Sequence, residues 1–412
     1  MSRYWTAETI LNWKAAALLG LVSSTFSTLV SHFAAGRIGR DALVDWMIVA
    51  SIPLRDAALQ AEPTWPVVAA GILFHQWADF SWELVFFGVF GFLTARLSPL
   101  VLIAVALPWA VFTSASEWFF LVPVLPFWQA NFPLEQAYWI GFLVHATSAS
   151  MYPLFPFFRD FVAGRRPSPH RRFAGIWSGA ALAGLVVLGG LALAGTLDRE
   201  VPHNGRNVAF DQNYLTQMRA HHVQGIALAE LAAARAADPH LRALGRLMVA
   251  TQRGDIGIFD QWWRSWFGPV PAAPHDHAMP GLLSPEDIAA LQDIEGAAFD
   301  QAFVQLMTVH HRGAIAMSDA ALDEGGDPRI RILAHALRHS QLGEIALMEG
   351  KSGFAAVAAA TWAMLADEVS GGAPSAAAPA QADQPEAPVD DALGHGHDHA
   401  LLEDRVAGGG VS

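Results

Sequence analysis

A pair of adjacent histidines occurs twice in this chain with its surroundings intact, and that repeat limits the fold more than any other feature. Met218-Arg-Ala-His221-His222-Val-Gln-Gly-Ile226 returns as Met307-Thr-Val-His310-His311-Arg-Gly-Ala-Ile315, offset by 307 − 218 = 89 positions. The same offset carries Asp211 to Asp300, Tyr214 to Phe303, Asp238-Pro239 to Asp327-Pro328, and Gln252 and Asp255 to Gln341 and Glu344. Spacing kept over so many positions makes residues from about 208 to 350 two copies of one helix–turn–helix unit. The apolar period is helical throughout, with breaks at 238–239, 268–285 and 325–328. Helices are expected at about 209–236, 240–267, 285–324 (with a break near 297) and 328–350. Ser284-Pro285-Glu286-Asp287 has the composition of a helix start. Two short-linked hairpins joined by a longer crossover describe a four-helix bundle, a fold that holds metals between facing helices.

The region before the repeat has a different chemistry. Residues 1–200 contain 12 Lys+Arg against 12 Asp+Glu, so the net charge of −13 belongs to the remainder of the chain. Apolar runs near 13–34, 67–94, 98–122, 137–158 and 173–196 approach the roughly 20 residues that cross a bilayer. A weaker segment, 42–59, carries Asp45, Pro53, Arg55 and Asp56 and either spans or lies at the interface. Arg159, Arg165, Arg166, Arg171 and Arg172 precede the last run and mark that loop as cytoplasmic. The segment from about 198 onward is then extracytoplasmic, periplasmic if the membrane is a bacterial inner membrane. Five or six spans satisfy the arginines. The first run has no small-residue cleavage site near its end and is expected to be retained. Trp65, Trp118, Trp128 and Trp139 near the predicted span ends read as an aromatic belt.

Several ionisable residues fall inside these runs. His75, Asp79 and Glu83 follow an i, i+4, i+8 rhythm and share one helix face, while Glu117 and His145 lie in neighbouring runs. Ionisable groups at that depth face a bundle interior or a pathway. They form either a cation or proton site, metal included, or a network that fixes helix packing.

Adjacent histidines with methionine are a metal-site vocabulary. The chain has no cysteine, so soft-metal chemistry falls to Met sulfur and His nitrogen, which suit Cu(I). Met218 with His222, and Met307 with His311, stack one turn apart, whereas His221 and His310 point about 100° away. One histidine of each pair is therefore expected to face the interior and the other the rim or an adjacent helix. Asp255 and Glu344 enter the candidate metal site chiefly as partners for imidazole N–H groups. His335 and His339, at i, i+4, exist in the second copy alone and are either a metal clamp or a solvated face. An acidic, aromatic-poor second half makes nucleic acid an unsuitable partner.

Met-x-x-His-His-x-x-x-Ile with an Asp seven residues ahead of the Met resembles the CopM-like family catalogued as domain of unknown function 305. Met279-Pro-Gly-Leu-Leu-Ser284 and Gly296-x-x-Phe299-Asp300 are similar to that family's linker. The resemblance covers about a third of the chain and implies a ferritin-like bundle, mostly extracytoplasmic, with copper-binding members. It makes Met218, His221, His222, Met307, His310 and His311 the leading copper ligands. Met317 follows Ile315 by two residues, where the first copy has Leu228, so the two half-sites are unequal.

Outside the repeat, His275 and His277 lie in the crossover, and His395, His397 and His399 in an Ala/Pro/acidic tail from 367 that is expected to be disordered. These five are secondary metal candidates. The expected organisation is all-α: a polytopic membrane domain (1–197), a bundle (203–350), a short helix (351–366) and the tail (367–412). The function expected is copper binding, Cu(I) or Cu(II), with another divalent metal as an option, for sequestration, homeostasis or hand-over to the membrane domain. The alternatives are a cation or proton transporter built on the intramembrane groups and a metal-dependent oxidase. No nucleophile–base pair, phosphate loop or nucleotide motif argues for an enzyme. The expected partners are a lipid bilayer and a metal ion, and the sequence does not give the oligomeric state.

Overall fold

The computed structural model describes residues 6–125, 129–271 and 279–370, and they contain helices and connecting turns but no strand. The first half comprises α1 (Ala7–Ala34), α2 (Ala42–Leu54), α3 (Trp65–Glu83), α4 (Pro99–Ser116), α5 (Asn131–Glu135), α6 (Tyr138–Ala149), α7 (Phe155–Val162) and α8 (Arg171–Thr196). α3 runs on into a π-helical turn, Leu84–Val89, and α4 into another, Glu117–Leu121. Among the described residues, three helical stretches are long and apolar enough to cross a membrane: Ala7–Arg37, Pro99–Val124 and Arg171–Thr196. Ile176, Leu182, Val186, Val187 and Leu193 of α8 are exposed. Of the other apolar runs, 137–158 is interrupted after Ala149, and 42–59 forms a helix of 13 residues.

The repeat forms α9 (Val208–Arg235), α10 (Pro239–Trp266), α12 (Gly296–Glu324) and α13 (Pro328–Met348), with the short α11 (Pro285–Gln292) in the crossover. The expected break near 297 falls at 293–295, so the first part of the third predicted helix is the separate α11. Ser284 and Asp287 form a capping box at its start. α14 (Gly353–Ser370) closes the described chain.

The caps explain why the repeated residues repeat. Asp238 accepts from the His240 amide at 2.8 Å and Asp327 from the Arg329 amide at 2.9 Å, each with Pro at the first helical turn. Each hairpin turn is also held by the other copy. Asp211 accepts from the Gly326 and Asp327 amides, both at 2.8 Å, and Asp300 from the Ala237 and Asp238 amides at 2.8 and 2.9 Å.

Bundle and first half share one interior. Met47, Ile48 and Leu134 belong to the same buried apolar cluster as Leu244, Leu247 and Met307. Residues 1–371 accordingly form one compact unit. Polar ties reinforce the join: Arg37 with Glu200 at 2.6 Å, Arg246 with the Leu59 carbonyl at 2.8 Å, and the His339 ring with the Pro133 carbonyl at 3.0 Å.

Candidate metal centre

All four histidines of the repeat lie inside the bundle. His221 and His311 are fully buried, and His222 and His310 are 1% exposed, so neither pair leaves one ring on the rim as the 100° separation led us to expect. The reason is tertiary. The crossover returns at Pro280-Gly281 across α12, where Gly313 has no side chain to hold it off, and covers the face that would otherwise be open. Gly225 lets α9 close in from the other side, since a Cβ there would come within 2.7 Å of His310 Cε1. The His221 and His310 rings lie with centroids 3.8 Å apart and their planes tilted by 36°. Met218 and Met307 are fully buried and Met317 nearly so.

Every Nε2 faces an oxygen. His222 meets Asp255 at 3.1 Å and His311 meets Glu344 at 2.6 Å. His221 meets the Pro280 carbonyl at 3.2 Å, and His310 meets the His221 carbonyl at 3.1 Å. Carbonyls only accept, so Nε2 of His221 and His310 carries the proton and donates; the Asp255 carboxylate takes an N–H from His222 in the same way, and Glu344 takes one from His311 when it is ionised. The lone pair then sits on Nδ1, and all four Nδ1 atoms are buried without a hydrogen-bond partner. Burial, followed by the neighbouring imidazoles, holds His221 down at about 3 and His310 well below the usual range. Burial and then His222 hold His311 at about 3. Burial and then Asp255 push Glu344 up to about 8. The site is thus a cluster of imidazoles kept neutral with their lone pairs unspent, on the two helices that also bury the thioethers of Met218 and Met307. That donor set fits a soft metal ion. Among the described residues, no three His, Cys, Asp or Glu side chains stand close enough to hold one ion by themselves.

The remaining candidates separate. His335 and His339 form neither a joint clamp nor a solvated face. His335 Nδ1 accepts from Trp139 Nε1 at 3.2 Å, while His339 is fully buried between the Pro133 carbonyl and Met364 sulfur. They join the bundle to the first half. His275, His277, His395, His397 and His399 lie outside the described residues.

His75, Asp79, Glu83, Glu117 and His145 do come together across helices. Ser27 bonds His75 at 3.0 Å and also Asp79, and His75 lies 3.5 Å from Asp79. Glu83 accepts from Ser23 at 2.5 Å and Ser148 at 3.0 Å. His145 sits between Thr113 at 3.0 Å and Glu117 at 3.2 Å, and Glu117 also accepts from Trp82 at 2.5 Å. A cavity of about 130 Å³ is lined by His75, Asp79, Glu117, His145, Asp45 and Gln136. Sequence reasoning missed Asn131 and Glu135, which are fully buried at the seam between the halves with none of their side-chain polar atoms bonded.

The fold and the site together define a helical bundle with two adjacent-histidine pairs enclosed in its core. Residues 211–351 match the family model described as domain of unknown function (DUF305), and through this segment the chain belongs to the CopM-like DUF305 family. The chain is similar to a DUF305 fragment from Deinococcus radiodurans (30% identity over 34% of this chain and 93% of that one; TM-score 0.32). It is also similar to a DUF305 protein from Streptomyces coelicolor (28% identity, 34% and 88% covered; TM-score 0.32). A third likeness is to CopM in its Cu(I)-bound form (30% identity, 34% and 93% covered; TM-score 0.29). No curated protein matches the chain.

Proposed function

We propose that this protein is anchored in a membrane by its first half and binds copper in the bundle, for sequestration, homeostasis or hand-over to its own membrane half. The observation that carries the reading is the set of four buried, partnerless Nδ1 lone pairs. An unpaired buried acceptor costs about 1–3 kcal/mol, so four together are sustained most readily by a ligand that accepts their electrons. His221, His222, His310 and His311 with Met218 and Met307 would hold the ion, Met317 adding a thioether beside the second pair. Asp255 and Glu344 would hold the imidazoles in place from behind. Bound there, copper supplies a soft Lewis acid; nothing in the site calls for turnover. CopM, a member of the same family, has been solved with Cu(I), Cu(II) and Ag. The arginines before α8 support an extracytoplasmic bundle, and a bacterial inner membrane with five or six crossings suits them.

Because the bundle shares its core with the first half, the full chain in detergent is the right sample. Copper titration under reducing and oxidising conditions, read by native mass spectrometry, should show tight Cu(I) uptake in wild type and none in the His221, His222, His310, His311→Ala variant. Equal uptake by the two proteins would remove the proposal.

A second reading rests on the cavity lined by His75, Asp79, Glu117 and His145. The carboxylates Glu83 and Glu117 stand at α-to-π junctions, where local backbone irregularity accompanies functional sites. A cation or proton could use this cavity as a station within the membrane half. Loss of copper tolerance in His145→Ala cells whose bundle still loads copper would favour transport over storage.

A further inference from the structure

The helix that follows the bundle, α14, is apolar on both of its sides. From Phe354 to Ala366 it has no charged residue. Ala356, Val357, Ala360 and Met364 are buried against the rest of the chain. Phe354 is 56% exposed, Trp362 73% and Leu365 50%, and Ala358 between them is exposed as well. Spaced i, i+4, i+8 and i+11, these four residues share one helix face. A surface helix ordinarily turns a polar face to water; this one turns out a phenylalanine, a tryptophan and a leucine. Contiguous exposed apolar surface of that kind marks contact with a protein or a membrane.

The inner face of α14 is tied to the ends of first-half helices. Thr361 bonds the Tyr138 hydroxyl in the first turn of α6, and Met364 sulfur lies 3.1 Å from His339 Nδ1. Gly353 sits on the last turn of the stretch Pro99–Val124, where a Cβ would come within 2.9 Å of the Pro123 carbonyl. These are the ends nearest the bundle, since Arg246 bonds the Leu59 carbonyl in the turn before α3 and His339 meets Pro133 between Val124 and Tyr138. The stretch Pro99–Val124 exposes apolar side chains along its length, from Leu100 and Leu107 through Phe112 to Phe120 and Val124. Phe354, next to Gly353, takes up that surface where the stretch ends.

We propose that α14 is a second membrane element, lying along the bilayer surface at the bundle-side end of the first half with Phe354, Trp362 and Leu365 in lipid. The inference rests on the membrane reading of the first half. Lipid is the occupant because the exposed face of α14 continues the exposed apolar surface of a stretch able to cross a bilayer. The apolar part, Gly353–Leu365, is too short to span and has the length of an interfacial segment. Tryptophan is the residue that favours the boundary between headgroups and acyl chains. A bundle so placed is held to the membrane on both sides, by the first half before it in the chain and by α14 after it.

The chain has no cysteine, so a single introduced one can be spin-labelled. The full chain in nanodiscs of phosphatidylcholine and phosphatidylglycerol is labelled through Trp362→Cys or Leu365→Cys, with Val186→Cys on α8 and Val223→Cys on α9 as references, both exposed positions. Collision with oxygen, which concentrates in lipid, is compared with collision with a water-soluble nickel chelate. The oxygen-to-nickel ratio at positions 362 and 365 should exceed that at 223 by about fivefold or more and approach that at 186. Ratios at 362 and 365 that match 223, with 186 lipid-exposed, overturn the proposal and leave the membrane reading standing. Ratios at 186, 362 and 365 that all match 223 overturn both. Labels at 362 and 365 shielded from both reagents show a protein surface over this face, a second copy included, and also overturn the proposal.

Discussion

The two histidine-containing interiors of this protein are built to opposite rules. In the first half, His145 bonds Thr113 through Nδ1 and Glu117 through Nε2, and Glu117 is engaged again by Trp82. The bonds of His145 and Glu117 are closed on both sides, whereas Oε2 of nearby Glu83 is buried without a partner. In the bundle, each Nε2 is held by an oxygen and each Nδ1 is buried with no partner. Burial alone therefore does not mark a ligand site; what distinguishes the bundle is acceptor capacity enclosed and left unused. A closed network stabilises helix packing, and an open one waits for a Lewis acid.

Paired substitutions break this comparison most directly. His221→Ala with His310→Ala should lower Cu(I) affinity by about a thousandfold or more, whereas His145→Ala should leave it within a few-fold; competition titration with a chromophoric Cu(I) chelator reads both. Metal-free stability should reverse the order. Removing His145 strands Glu117 in a buried pair and should cost about 3 kcal/mol. His221→Leu removes an unsatisfied acceptor together with one bond to Pro280 and should cost under about 1 kcal/mol. Equal losses in chemical denaturation would erase the distinction between closed and open networks.

Acidity sharpens the same contrast. His221 and His311 sit at about 3 in the folded protein against about 6.5 when unfolded. Between those values the unfolded chain binds more protons, so metal-free stability should be complete above pH 6.5 and fall steadily toward pH 3. Glu344 acts in the opposite sense. Raised to about 8, it favours the folded state at low pH, and that contribution is lost as pH rises through 8. Thermal melts across pH 4 to 9 should therefore show a maximum near neutrality, and copper bound to the folded state should raise the whole curve and leave the slope of the acid limb unchanged, because the folded imidazoles hold no Nδ1 proton for it to displace. A profile that rises continuously toward acid would contradict neutral buried imidazoles.

The smallest effects lie within the repeat. Asp211 is fully buried and also holds His203 at 2.7 Å, so Asp211→Asn should cost about 2 kcal/mol. Asp300 caps a more exposed turn, and Asp300→Asn should cost about 1 kcal/mol. Urea denaturation of the two variants side by side checks the order.

The sequence determined the local structure of the repeat because local rules govern it. Asp-Pro at 238–239 and 327–328 starts helices wherever it stands, and an 89-residue offset means the same physics twice. The histidine pairs and their carboxylates were legible for the same reason, since residue type and helical spacing define a metal vocabulary. The fate of each imidazole was decided elsewhere. All four became buried because the crossover settles on Gly313 and α9 closes in at Gly225, contacts between segments far apart in the chain. His335 and His339, one turn apart on α13, could be assigned only once Trp139 and Pro133 arrived from the other half. Glu135 left no sequence signal, because a single Glu in Phe-Pro-Leu-Glu-Gln says nothing of its surroundings. Its burial comes from packing against α13, where Leu134 meets Gly343, more than 200 residues away in the chain. Periodicity and capping are short-range and can be read along the chain; desolvation and charge pairing depend on what arrives from a distance, and only the tertiary structure supplies that.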